Sequence, residues 1–310
     1  MLNLEKYYPI EIDNNYHEGH GHILSIKIVM PTYCQANCDF CFNKLTQNTQ
    51  QHNKILFKDN IIKTLDEIFS TIKNRKISLD ITGGEPTFDP IFFKEIMDIL
   101  KVYKTNYKNI IDKIVLTTNG YKLYDCLKSM IGVVDIVNIS LHQSNYNDRV
   151  SIFKTKLIPT DYDLKFINNH LKENGIKITG VFVINSVCYM ECLFKYIVEK
   201  YANFGKIVGF DDIRIRIDFT TQNILLKKLF DVKFDDEVVF YKKGLNSKFI
   251  KINNYPVNIY SGVPSLIDYV IGVEMVIDDD GKLYLDYNKE YPLNNDDLHI
   301  IDKNIFIHYN

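Results

Sequence analysis

At 310 residues, with 46% hydrophobic and 25% charged side chains, the chain suits one large core, or one domain with a small appendage. Its formal net charge of −2, with lysines dispersed among acids, gives no global field for an anionic membrane and weighs against a nucleic-acid substrate. No apolar run approaches the roughly 20 residues that span a bilayer. The opening Met1-Leu2-Asn3-Leu4-Glu5-Lys6 lacks a signal peptide's basic and apolar regions, so the expected location is the cytoplasm.

The predicted elements alternate. A first strand over Leu24–Met30 feeds a cysteine loop, and Lys58–Lys73 carries Ile61, Ile62, Leu65, Ile68, Phe69 and Ile72 at helical spacing. Ile77–Thr82 alternates strictly as a second strand, and Pro90–Lys104 is its helix. Lys113–Thr118 is a third strand, Tyr121–Met130 a short helix and Val134–Leu141 a fourth strand, followed by a longer loop to Pro159. Asp161–Asn174 is a helix ended by Gly175, Ile176–Ile184 a fifth strand, Val187–Phe204 a helix and Ile213–Phe219 a sixth strand. Six β-α repeats predict parallel strands in an α/β fold. Eight repeats would close a full barrel, so six predict a partial (β/α)6 barrel with its chemistry at the C-terminal strand ends.

The loop after the first strand reads Tyr33-Cys34-Gln35-Ala36-Asn37-Cys38-Asp39-Phe40-Cys41-Phe42, a C-x3-C-x2-C spacing. Three thiolates on one short loop can hold three irons of a [4Fe–4S] cube. No fourth cysteine lies nearby, which leaves one iron open to a substrate or cofactor. Zinc is the alternative. A structural zinc site takes four ligands, and His17, His20 or His22 could supply the fourth. The second strand runs into Gly83-Gly84-Glu85-Pro86-Thr87, where glycines at a strand end allow close approach of backbone to a ligand.

The cysteine spacing, the aromatic before the third cysteine and the downstream Gly-Gly-Glu-Pro together resemble the radical SAM superfamily. The resemblance covers residues 20–220. It implies a [4Fe–4S] cluster on Cys34, Cys38 and Cys41 that binds S-adenosylmethionine (SAM) and yields a 5′-deoxyadenosyl radical, with a flavodoxin or ferredoxin as electron donor. It implies SAM contacts from Phe40, from Gly83, Gly84, Glu85 and Pro86 at the amino group, and from Thr118, Asn119, Ser140 and Asn185. Where the family has Ser-Leu-Asp, this chain has His142 in the third place.

Alternation along the sixth strand sends Ile213, Ile215, Ile217 and Phe219 to the helices and Arg214, Arg216 and Asp218 to the lumen. Charges on an inner face are costly unless paired or ligand-bound. An arginine here, with Arg216 the candidate, meets the SAM carboxylate or an anionic substrate group; the alternative is an internal ion pair with Asp80 or Glu85. Asn138, Ser140 and His142 share a face, and His142 is a candidate proton donor or substrate contact, beside the alternative of a structural histidine. Cys126, Cys188 and Cys192 read as core packing.

Three divisions are expected: an N-terminal arm over 1–22, the partial barrel over 23–220, and a small β-containing C-terminal extension over 221–310 that covers the barrel. Gly272–Ile277 and Lys282–Tyr287 flank Asp278-Asp279-Asp280-Gly281, a hairpin signal. The hairpin resembles those of SPASM or twitch extensions, but no cysteine follows Cys192, which argues against a second cluster. The expected activity is a tailoring step on a small metabolite or a short ribosomal peptide. The alternatives are a viperin-like nucleotide-modifying enzyme and a non-enzymatic iron–sulfur or zinc sensor.

Overall fold

The computed structural model describes residues 23–39, 41, 53–184, 191–217, 232–234, 247–261, 274–284 and 292–304. Six parallel strands form its centre: β1 (Ile23–Met30), β2 (Lys76–Gly83), β3 (Ile111–Thr118), β4 (Ile136–Ser140), β5 (Lys177–Ile184) and β6 (Asp212–Ile217). They lie in chain order within one open sheet, as a partial barrel requires. Leu24, Ile26, Ile28 and Met30 of β1 are fully buried on one face, while Ser25 and Lys27 line the lumen on the other. That division follows from the two-residue period of a strand.

Helices α1 (Lys54–Thr71), α2 (Pro90–Asn106) and α3 (Leu123–Met130) follow the first three strands. The Asn53 side chain caps α1 by accepting from Leu56 N, and Phe57, Ile61, Leu65 and Phe69 form its buried stripe. Asp89 caps α2, with Pro90 in the first turn where no N–H is needed. The predicted loop to Pro159 contains a helix, α4 (Tyr146–Phe153), capped by Asn145. It is too short and polar to show helical periodicity. Then come α5 (Asp161–Glu173), opened by a Thr160–Asp163 capping box, and α6 (Glu191–Val208). Cys126 is fully buried in α3, as core packing requires; Cys188 lies outside the described residues. No helix among the described residues is long and apolar enough to cross a membrane.

The described strands of the tail join the same sheet at both edges. β7 (Ser247–Ile252) and β8 (Tyr255–Ser261) form a hairpin, and β8 runs parallel to β6. Asn253 and Asn254 both take positive φ, as a tight two-residue hairpin turn requires. At the opposite edge β9 (Glu274–Ile277) lies parallel to β1 and pairs with β10 (Leu283–Tyr284). The Asp-Gly turn between them is seated on α1: Asn60 Nδ2 donates to Asp280 O at 2.7 Å and Thr64 Oγ1 to Gly281 O at 2.8 Å. A Cβ on Gly281 would lie 2.6 Å from Phe57 O, and its φ is +77°. A last helix, α7 (Asn295–Asn304), packs on α1. The expectation that the tail covers the barrel falls on segments outside the described residues; the strands that are described widen the sheet.

Candidate functional site

Three strand ends meet where the cysteines lie. Thr32 N turns back to Met30 O at 2.8 Å, and Glu85 N, at the end of β2, donates to Tyr33 O at 3.0 Å. This fixes the residue before Cys34 against the Gly-Gly-Glu-Pro turn. The two glycines make that approach possible. A Cβ on Gly84 would lie 2.1 Å from Thr32 O, and one on Gly83 would lie 2.6 Å from Met30 O, at a φ of +136°. After the turn, Pro86–Phe88 forms a short 3₁₀ helix.

The Glu85 side chain points into protein. It is 1% exposed, and its carboxylate accepts from Thr87 N at 3.1 Å, Thr87 Oγ1 at 2.7 Å and Asn119 N at 2.7 Å, and from the Thr118 hydroxyl. Burial raises its pKa above the ordinary carboxylate value, while these donors oppose the rise. The carboxylate therefore locks the ends of β2 and β3 together. In this arrangement its oxygens are committed to protein donors.

Asn119 carries the link onward to the cysteine loop. Its Nδ2 lies 3.6 Å from Cys34 Sγ, and its Oδ1 accepts from Gln35 Nε2 at 2.8 Å and Tyr121 N at 3.0 Å. Gln35 also donates to Leu157 O at 3.0 Å. From the far side Asn37 N donates to Phe153 O at 2.9 Å, and Lys154 forms an ion pair with Asp39. The unforeseen helix α4 thus braces the loop. Sequence reasoning missed Gln35, Thr87 and Lys154. Thr87 adjoins the Gly-Gly-Glu-Pro turn and was within reach; the other two are marked by no local pattern.

Cys34 is exposed and Cys38 and Cys41 are half-buried. Although solvent reaches Cys34, the protein crowded around its sulfur pushes the thiol up to about 12. The charges of Glu85, Cys38 and Cys41 act in the same direction. Among the described residues no three Cys, His, Asp or Glu side chains are gathered closely enough to hold a metal ion. The donor set nonetheless fits an iron–sulfur cluster: three thiols on one loop, held at a strand end, with a positive centre offsetting their mutual repulsion. Phe40, Asn185, Asp218 and the histidines at 17, 20 and 22 lie outside the described residues.

Beneath the strand ends is a cavity of about 550 Å³ inside the barrel. Asn138, Ser140, His142, Arg214 and Arg216 all line it, as strand alternation predicts. Lys27, Asp80, Lys113 and Tyr260 line it as well. Among the described residues neither arginine forms the alternative internal pair: Asp80 is bound to Lys27 at 3.1 Å, and Glu85 is engaged as above. His142 is 8% exposed and holds a φ of +63°. Its backbone N donates to Val181 O at 3.2 Å and its ring lies 5.0 Å from that of Phe153. Burial, aided by the Arg216 cation, lowers its pKa to about 3. The imidazole is neutral at physiological pH and resists protonation, so its role is hydrogen bonding rather than proton transfer.

Residues 28–187 match the sequence family described as the Radical SAM superfamily. The probable GTP 3′,8-cyclase of Thermoplasma volcanium is 33% identical over 124 residues, covering 39% of this chain and 33% of that protein. The chain therefore spans about a third of the length of this curated relative. Among solved structures, Streptococcus suis SuiB aligns with a TM-score of 0.57 at 13% identity, covering 94% of this chain and 66% of that one. Native anSMEcpe with bound AdoMet and Cp18Cys peptide aligns with a TM-score of 0.55 at 17% identity, covering 92% and 80%. At these identities the likeness is one of fold.

Proposed function

Because this chain belongs to the radical SAM superfamily, it is an enzyme that uses a [4Fe–4S] cluster and SAM, and we propose that Cys34, Cys38 and Cys41 hold the cluster above the barrel lumen. When bound, the pair supplies reductive cleavage of the SAM sulfonium and a 5′-deoxyadenosyl radical that removes a hydrogen atom from the substrate. Membership of an enzyme family sets aside the sensor alternative.

The observation that carries the assignment is the junction of the cysteine loop with the Gly-Gly-Glu-Pro turn. The Glu85 N to Tyr33 O hydrogen bond and the Gly84–Thr32 contact give the two motifs one rigid geometry. The turn is assigned to the SAM amino group. Since the Glu85 carboxylate already accepts from Thr87, Thr118 and Asn119, its part is to set the turn's shape, and the turn's backbone meets the ammonium. Asn119 orients Cys34. Thr118 holds Glu85, and Ser140 faces the lumen where SAM and substrate meet. Phe40 and Asn185 keep the SAM contacts that the family pattern gives them. Arg214 and Arg216 supply the lumen's anion-binding groups, and neutral His142 contacts substrate. A flavodoxin or ferredoxin supplies the electron, in a reducing compartment such as the cytoplasm.

The reaction is a tailoring step on a small metabolite or a short peptide. A second reading, a nucleotide-modifying enzyme, gains from the two arginines of the lumen, whose guanidiniums suit phosphate oxygens. Anaerobic reconstitution with iron and sulfide, followed by dithionite and SAM, tests the chemistry directly. Mass spectrometry should detect 5′-deoxyadenosine, and its absence from a protein loaded with about four irons and supplied with reductant would count against the assignment.

A further inference from the structure

Arg214 and Arg216 stand two residues apart on β6, so both side chains enter the lumen. Their in-register neighbours carry no acid. Arg214 sits between Val181 of β5 and Asn258 of β8, and Arg216 between Val183 and Tyr260. Among the described residues neither arginine has an ion pair, and Arg216 Nε is buried without a hydrogen-bond partner. The other lumen cations are matched: Lys27 by Asp80 at 3.1 Å and Lys113 by Asp112 at 3.6 Å. Among the described residues lining the cavity, Asp80 is the single carboxylate. Among the described residues, then, a chain of net charge −2 places two guanidiniums without an acid partner side by side in the lumen.

Sequestering such charges is costly unless an anion completes them. SAM brings one carboxylate, enough for one of the two guanidiniums, and its sulfonium and ammonium add positive charge. Guanidinium forks match phosphate oxygens two at a time, and a phosphate ester carries the charge that two arginines require. The cavity, at about 550 Å³, lies within the range of small-molecule sites.

Resting on the radical SAM assignment above, we infer that Arg214 and Arg216 form a phosphate-binding subsite and that the substrate is a small phosphorylated molecule seated inside the barrel. Tyr260 is placed to add a hydroxyl donor to the same group. Its phenol stays protonated because burial raises its pKa, against the pull of Arg216, Arg214 and Lys27.

Isothermal titration calorimetry on the reconstituted protein with SAM present, using inorganic pyrophosphate and succinate as probes, tests this. The wild type should bind pyrophosphate in a salt-sensitive way and prefer it to succinate. Arg214→Gln and Arg216→Gln should each weaken pyrophosphate by about tenfold or more, with SAM affinity retained. Arg216→Lys, which keeps the charge and guards against a folding defect, should lose less. Lys94→Gln, at an exposed ion pair on α2, serves as the control and should change nothing. No pyrophosphate binding by the wild type, preference for succinate, or loss of SAM affinity in place of pyrophosphate affinity would overturn the subsite. The radical assignment fails separately: pyrophosphate binding without 5′-deoxyadenosine formation would remove the chemistry and leave the subsite standing.

Discussion

Replacing His142 with Asn should flatten the acid side of the stability profile. The imidazole is packed in the lumen against the Phe153 ring, beside the Arg216 cation, with Tyr201 Oη 3.4 Å from its backbone oxygen. Its pKa falls from 6.5 in the open chain to about 3 in the fold. Because the folded value is depressed, the unfolded state binds the extra proton between these limits. The contribution of the neutral imidazole is complete above pH 6.5 and is lost as pH falls toward 3. Between pH 7 and pH 5 that single proton costs the wild type about 2 kcal/mol. Asn cannot titrate and tolerates the left-handed backbone found at His142, with its φ of +63°. Urea unfolding of both proteins at the two pH values cancels every other titrating group. The wild type should lose about 2 kcal/mol more than His142→Asn. Equal losses would refute the neutral, buried imidazole.

Cys38→Ala should abolish iron loading and SAM cleavage together, read by iron content and 5′-deoxyadenosine; cleavage that survives would remove the cysteine from the cluster. Gly84→Ala places a methyl 2.1 Å from Thr32 O. It should cost about 1–3 kcal/mol by overpacking and weaken iron loading by displacing the loop, whereas a neutral result in urea unfolding would mean that the turn and loop are not in contact. Glu85→Gln sets an amide donor against the Asn119 N–H or the two threonine hydroxyls. A loss of about 1–3 kcal/mol is expected from one unsatisfied buried donor. If stability holds and only SAM affinity drops in equilibrium dialysis, the carboxylate serves SAM directly and not the strand ends.

Much of the site could be read from short windows of sequence because its signals are local. The C-x3-C-x2-C spacing offers three candidate thiol donors without any fold. Alternation along β6 assigned Arg214 and Arg216 to the lumen before any neighbour was known, since a strand's faces are set by its own two-residue period. The hydrogen-bond partners of Glu85 were not legible. A carboxylate beside glycines suggests a ligand for an ammonium, while its protein partners Thr118 and Asn119 come from the next strand and no local pattern announces that contact. Helix α4 was missed because eight residues with a polar face carry too little periodicity. The hairpin of β7 and β8 was missed although its Asn-Asn turn lies between apolar-rich segments.

By itself, then, the amino-acid order determined the candidate ligand set, the β-α rhythm and the inward faces of β4 and β6, because all three depend on residues a few positions apart. Only the tertiary structure decided which ends meet. It set Asn119 against Cys34 and brought Phe153 O to the Asn37 amide. It placed tail strands beside β1 and β6, and it left Arg214 and Arg216 without an acid among their in-register neighbours. Contacts between distant segments arise from packing and from the register of neighbouring strands, which the local sequence does not encode.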